Sequence, residues 1–95
     1  MKFMFSGPML RFVDFAKEIE VAEPNLELAL QALLAGRPQL KPVLLDGEGN
    51  LRRSHQMFLN GENMAANYYR DPRARSEIAL GDGDSVYFLT AIAGG

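Results

Sequence analysis

The chain has 95 residues, the size of one domain, so its apolar side chains have to share a single core. Its 47% hydrophobic and 23% charged residues are ordinary for a globular protein and exclude a disordered chain. The net charge of -2 excludes the basic excess typical of nucleic-acid surfaces, and the absence of cysteine excludes disulfides, thiolate metal ligands and cysteine nucleophiles.

The first predicted elements form a hairpin. Residues 2–6 are an almost wholly apolar run closed by Gly7-Pro8, which predicts a strand buried on both faces in the middle of a sheet. In residues 9–16 the apolar side chains follow neither the helical nor the strand period. In residues 17–21, Ile19 and Val21 alternate with charged side chains, which predicts a half-buried strand that pairs with the first.

A helix follows this hairpin. Asn25 is a favourable N-cap, and Glu27 suits the positive end of the helix dipole. Gly36 and Pro38 end the helix. Helical spacing gives one apolar face, made of Leu26, Ala29, Leu30, Leu33 and Leu34.

The second half of the chain adds two further strands. Residues 56–59 form the first, and Asn60-Gly61 predicts a reversal after it, since both residues tolerate positive φ. Residues 62–80 are irregular and predict a surface loop with a short helical turn. Residues 81–84 predict a turn, and residues 85–90 predict the last strand. Further core side chains are expected from Leu40, Val43, Leu44, Leu45, Ile78 and Leu80.

This order predicts an α+β fold with a mixed four- to five-stranded sheet packed on one main helix. If the buried first and last strands are neighbours in the middle, they must be parallel, which is the β-grasp (ubiquitin-like) arrangement. We expect a domain over residues 1–90 and a flexible tail over residues 91–95. No stretch approaches the roughly 18 apolar residues of a membrane span, so we expect a cytoplasmic protein without a membrane partner.

Several motifs in this order resemble the ubiquitin-like sulfur carriers, the family of ThiS, MoaD and CysO. The resemblance covers nearly the whole chain. Its motifs are Gly7-Pro8 with Leu10-Arg11, the leucine-rich helix, residues 57–61, the turn at 81–84, the final strand, and Ala93-Gly94-Gly95. Thr90-Ala91 departs from the family, which often has proline just before its last residues.

The resemblance implies a carrier without catalytic residues, bound cofactor or metal. Its working group is the carboxylate of Gly95, which a ubiquitin-activating-type enzyme adenylates with ATP and which then becomes a thiocarboxylate. The sulfur passes to a biosynthetic enzyme that makes cysteine or a sulfur-containing metabolite. Ile92, Ala93 and Gly94 form the tail, and glycines without side chains suit a narrow active site.

Three other roles remain open for such a chain. The first is the small subunit of molybdopterin synthase, in a stable complex with a larger subunit. The second is a ubiquitin-like protein modifier that forms isopeptide bonds with lysines. The third is an interaction module with an idle tail.

Alternation in the last two strands predicts a partner-binding patch. If Met57, Leu59, Val86 and Phe88 face the core, then Phe58, Tyr87 and Leu89 point outward together. A cluster of exposed apolar side chains suits a docking enzyme. The alternative is that loops of the chain cover these residues.

Two polar motifs favour structural interpretations. Arg52, Arg53 and His55 are predicted to be a solvated strand edge rather than a phosphate or acidic-partner site. Residues 46–50 lack the ligand spacing of a calcium loop, so we predict a plain turn.

Overall fold

A five-stranded mixed sheet forms the centre of the molecule in a computed structural model, which describes residues 1–52, 55–64 and 72–90. The strand order is β2-β1-β5-β3-β4. The strands are β1 (Lys2–Phe5), β2 (Glu18–Glu20), β3 (His55–Leu59), β4 (Glu62–Asn63) and β5 (Ser85–Thr90).

The first and last strands are parallel neighbours, as predicted. Phe3 pairs with Val86 and Phe5 with Phe88, while β3 runs antiparallel along the other side of β5. The predicted hairpin of β1 and β2 is confirmed. A parallel pair needs a crossover connection, and the helices of the chain lie between β1 and β5 in sequence.

One long helix crosses the sheet. Within the described residues the α-helices are α1 (Leu26–Gly36), α2 (Lys41–Leu44) and α3 (Pro72–Ser76), and the 3₁₀ helices are Gly7–Val13 and Pro38–Leu40. The cap predicted for α1 is confirmed, since Asn25 Oδ1 accepts a 2.9 Å hydrogen bond from the Leu28 N–H. Of the predicted apolar face, only Leu34 is not fully buried.

The core is centred on three phenylalanine rings. The Phe88 ring lies 6.0 Å from that of Phe3 and 5.9 Å from that of Phe5, and all three are stacked. Lys2 and Met4 alternate with these buried residues and are only half-buried. The prediction that β1 is buried on both faces is therefore wrong, because the described helices pack on the face that Phe3 and Phe5 share.

Two connecting segments differ from the sequence prediction. The segment after β1, which lacked a period, is a 3₁₀ helix that buries Met9 and Val13. Within residues 62–80, Ile78 and Leu80 enter the core as predicted, but Arg75 on α3 is 1% exposed rather than on the surface. Arg75 is buried because its Nε donates a 2.7 Å hydrogen bond to Glu27 Oε1 on α1.

Two turns meet at the start of β5. Asn60 and Gly61 both have positive φ, 51° and 84°, and reverse the chain between β3 and β4 as predicted. Asp84 joins this hairpin to the turn before β5, since its carboxylate accepts hydrogen bonds from the Gly81 N–H at 2.7 Å and the Asn60 side chain at 3.0 Å. Asn60 Oδ1 in turn accepts from the Ser85 N–H.

These bonds give the sheet a predicted sensitivity to acid. The hydrogen bond from Gly81, followed by that from Asn60, holds the pKa of the Asp84 carboxyl below its usual value of 3.8. A lowered folded-state pKa contributes stability that is present above the unfolded value and is lost as the pH falls through the folded one. We therefore expect the urea midpoint of the wild type to fall more between neutral pH and acid than that of Asp84→Asn. Parallel pH profiles for the two proteins would contradict this assignment.

No helix in the described ranges combines the length and apolar character that a membrane crossing requires.

Candidate functional site

The end of β5 is the point from which the predicted tail departs. Thr90 is the last residue of β5 and pairs with His55 at the start of β3. Ile92, Ala93, Gly94 and Gly95, the predicted tail and its working group, lie outside the described residues. The structure thus shows where β5 ends, at the same end of the sheet as β1.

The three residues of the predicted patch lie together on the outer face of the sheet. Met57, Val86 and Phe88 are buried and Leu59 is half-buried, while Phe58 and Tyr87 are half-buried on the opposite face and Leu89 is 39% exposed. The predicted alternation is therefore confirmed. That this patch binds a partner stays a prediction.

The patch is a shallow groove rather than a flat surface. The Phe58 and Tyr87 ring centroids are 6.1 Å apart, with the ring planes tilted by 58°. The groove has a volume of about 400 Å³ and is lined by Met4, Phe58, Gly61, Ser85, Tyr87 and Leu89.

Besides Gly61 and Ser85, two further residues of this region were not predicted as part of it. Met4 is level with Tyr87 across the parallel pair of β1 and β5, so it extends the apolar floor. Ser6 Oγ forms a hydrogen bond with the Tyr87 hydroxyl, which fixes the orientation of that ring. The alternation of Phe3, Met4 and Phe5 along β1 could have predicted that Met4 lies on the outer face, once β1 is placed beside β5.

The predicted basic strand edge is only partly correct. His55 is 7% exposed, and its Nε2 lies 2.7 Å from the Val43 carbonyl oxygen, so Nε2 carries the proton and donates. His55 is buried because residues 41–44 form α2 beside it. Arg52 remains exposed and donates from Nε to the Pro42 carbonyl oxygen at 2.9 Å, while Arg53 lies outside the described residues.

Three solved structures resemble this arrangement over nearly the whole chain. The crystal structure of SAMP1 from Haloferax volcanii matches with a TM-score of 0.74 at 18% identity, over 99% of this chain and 97% of that one. A chain of the Amycolatopsis orientalis BexX/CysO complex matches at 0.74 and 20% identity, over 99% and 98%. Mycobacterium tuberculosis CysO matches at 0.73 and 20% identity, over 96% and 98%.

The chain has the β-grasp fold. Its parallel β1 and β5 and the helix in the crossover agree with the sequence prediction, and the match to these structures extends over nearly the whole chain. The sequence itself matches no protein-family model and no curated protein. At these identities the likeness establishes the fold alone.

The other side of this β-grasp domain carries a second concavity, between α1, α2 and α3. It has a volume of about 500 Å³, and apolar side chains such as Leu30, Leu34 and Leu45 line it beside the ion pair of Glu27 and Arg75. Glu27 and Arg75 form an ion pair with each other, and this pair holds α3 against α1.

Metal chemistry has no support in the described residues. The 46–50 loop is a turn in which Asp46 Oδ1 accepts hydrogen bonds from the backbone N–H groups of Glu48 and Asn50. Within the described part of the chain, no three His, Asp or Glu side chains lie close enough to hold a metal ion. What the described residues offer is a last strand that is paired on both sides and lies beside an apolar groove.

Proposed function

We propose that the chain is a sulfur carrier whose Gly95 carboxylate is adenylated and converted to a thiocarboxylate, which then donates sulfur in the synthesis of cysteine or a sulfur-containing metabolite. The observation that carries this proposal is the position of β5. This strand is paired on both sides, with Phe88 beside Phe5 and Thr90 beside His55, so the base of the tail is held by the sheet.

The length of the tail suits delivery of a carboxylate into a partner. Five residues follow Thr90 in the sequence, and n extended residues span at most about 3.5 Å each, or roughly 17 Å in all. A rigid body with a short glycine-ended tail can stay outside an active site while its end reaches the reacting atoms. No side-chain nucleophile on the body is needed for this role.

The chemistry divides a difficult substitution into two steps. A carboxylate oxygen of Gly95 attacks the α-phosphorus of ATP in the activating enzyme, which releases pyrophosphate and leaves an acyl-adenylate. A hydrosulfide ion then attacks the carbonyl carbon, and AMP departs with the bridging oxygen. The product is a thiocarboxylate, whose sulfur is a stronger nucleophile toward the next substrate than the original oxygen.

The groove formed by Phe58, Tyr87 and Leu89 supports the same proposal, because an activating enzyme has to bind the domain while the C-terminal carboxylate reacts in its active site. The groove lies on β3 and β5, the strand that leads to Gly95. One structural neighbour, CysO of Amycolatopsis orientalis, was crystallised in a complex with BexX. An enzyme docked on the outer face of this sheet is the corresponding partner here.

Mass spectrometry of the chain, incubated with an adenylating enzyme, ATP and sulfide, tests the proposal. We expect a mass increase equal to the exchange of one oxygen for one sulfur, because the thiocarboxylate differs from the carboxylate by that exchange alone. The matched control is the same chain without Gly95, which should keep its mass and its fold. An unchanged mass of the wild type would exclude the carrier role, and equal labelling of the control would contradict the assignment of the reaction to Gly95.

A protein modifier is the second candidate, and the likeness to SAMP1, a small archaeal modifier protein, favours it. Both roles begin with the same acyl-adenylate, but in a modifier a lysine amine replaces sulfide as the attacking group. An immunoblot of cells that produce the tagged chain distinguishes the two. Ladders above the free protein that disappear on deletion of Gly95 indicate a modifier, and a single thiocarboxylated species indicates a carrier.

A further inference from the structure

An exposed aromatic side chain lies in the connection between β1 and β2. Phe15 is 70% exposed, far more than Leu28 at 40% or Leu89 at 39%. Its neighbours behave differently, since Val13 is buried and Phe12 and Ala16 are half-buried. A large aromatic side chain left in water is a common anchor in protein interfaces.

The backbone holds Phe15 in this exposed position at the expense of strain. Asp14 and Phe15 both have left-handed φ, 52° and 61°, which is uncommon for a non-glycine residue and unfavourable for a bulky one. The Phe15 N–H donates to the Leu10 carbonyl oxygen at 2.8 Å, and the Ala16 N–H donates to that of Val13 at 2.9 Å. The ring is therefore presented by a defined turn, which lowers the entropy lost on binding.

Cations flank the ring. Arg11 and Lys17 are exposed on either side of it along the chain, and Arg52 is exposed before β3, at the same end of the sheet. None of these three has a carboxylate of the described residues within ion-pair distance. At the opposite end of the sheet the exposed charged groups include Glu20, Glu62 and Asp82. Arg11 and Lys17 thus place positive charge on both sides of the ring along the chain, with the exposed carboxylate of Asp14 between them.

The sheet register puts this connection beside the base of the tail. The Lys17 carbonyl oxygen accepts a hydrogen bond from the Phe5 N–H, and Phe5 pairs with Phe88, two residues before Thr90. Residues 10–17, which we name the Phe15 loop, therefore lie at the same end of the sheet as the end of β5.

We propose that the Phe15 loop is a second docking element, in which Phe15 enters an apolar pocket on the adenylating enzyme and Arg11 and Lys17 pair with carboxylates at the rim of that pocket. The identity of this partner rests on the carrier function proposed above. The loop acts alongside the sheet groove, and the charge at this end of the domain steers the tail toward the active site.

A protein partner fits these observations better than a nucleic acid. The chain has a net charge of -2, and Asp14 adds an exposed carboxylate inside the loop itself. An extended phosphate backbone would require more cations along one surface. An acidic rim around one apolar pocket requires only two or three cations on this chain.

Steady-state kinetics of adenylation test the proposal, with the adenylating enzyme that charges the wild type. We expect Phe15→Ala to raise the KM for the carrier roughly 10-fold or more without changing kcat, as loss of an interface anchor does. Leu28→Ala is the matched control, an exposed apolar residue in the first turn of α1, and should leave both constants unchanged.

The charges are tested by a second matched pair. Lys17→Gln should raise KM about 3-fold at low salt and make KM less dependent on ionic strength. Lys2→Gln removes the same charge from a side chain that already pairs with Glu18, and should raise KM less than Lys17→Gln does. A labelled oligo-dT strand that binds the wild type but not Lys17→Gln would overturn the assignment to a protein partner.

Phe15→Gly separates docking from stability. Glycine adopts this φ without strain, so the variant should unfold at a higher temperature than the wild type and still show the raised KM. If the wild type is charged and both Phe15 variants keep its KM, the docking inference is wrong and the carrier function stands. If no adenylating enzyme charges the wild type, the carrier function fails and the inference with it.

Discussion

Phe88→Ala is expected to lower the free energy of unfolding by about 3–5 kcal/mol, the usual cost of removing a buried phenylalanine ring. Phe88 is 1% exposed on a strand with partners on both sides, and its ring stacks on those of Phe3 and Phe5 at 6.0 and 5.9 Å. Domains are stable by roughly 5–15 kcal/mol in total, so the variant loses a large share of its stability.

Phe58→Ala is the matched control, since Phe58 is the same residue type on the neighbouring strand but points to the outer face. It is half-buried and loses mainly its contact with Tyr87, at a cost of about 1 kcal/mol. Urea unfolding followed by circular dichroism measures both variants, with the slopes compared to check two-state behaviour. If both variants lost the same free energy of unfolding, the stack of Phe3, Phe5 and Phe88 would not be a major contributor to the stability of the core.

The sequence predicts the elements whose signals are local. Asn25 as a cap and Asn60-Gly61 as a turn depend on the backbone preferences of the residues themselves, and both are confirmed. Alternation along β3 and β5 requires only the period of a strand, so the outward positions of Phe58 and Tyr87 were predicted as well. The parallel pair of β1 and β5 followed from the apolar character of both strands.

What the sequence could not predict depends on contacts between distant residues. Arg75 looks like a surface arginine until α3 brings it to Glu27, 48 positions earlier in the chain. His55 is buried against α2, where its Nε2 bonds the carbonyl oxygen of Val43, 12 residues earlier in the chain. Met4 joins the groove only through its register with Tyr87. The 3₁₀ helix at Gly7–Val13 has too few inward side chains to show a period.

Glu27→Ala is expected to cost about 3–5 kcal/mol of unfolding free energy, because it removes the carboxylate that the buried Arg75 Nε bonds at 2.7 Å. The Arg75 side chain is 2% exposed and that of Glu27 17%, so water cannot replace the lost partner well. The hydrogen bond from an Arg75 terminal nitrogen to the Gly49 carbonyl oxygen, at 3.3 Å, is longer than the 2.7 Å bond to Glu27.

Glu77→Ala is the matched control for the loss of a glutamate. Glu77 follows α3 directly and is exposed, so the free energy of unfolding should change by no more than about 0.5 kcal/mol. Urea unfolding of both variants at the same pH and ionic strength measures the difference.

The double variant Glu27→Ala with Arg75→Met distinguishes a buried charge from lost packing. Methionine keeps much of the arginine stem but carries no charge, so the double variant should regain a large part of the stability that Glu27→Ala loses. If the cost of Glu27→Ala arose from a cavity on α1, adding Arg75→Met would leave it unchanged or raise it. Recovery would therefore assign the stability to the ion pair that holds α3 against α1 beneath the 46–50 loop.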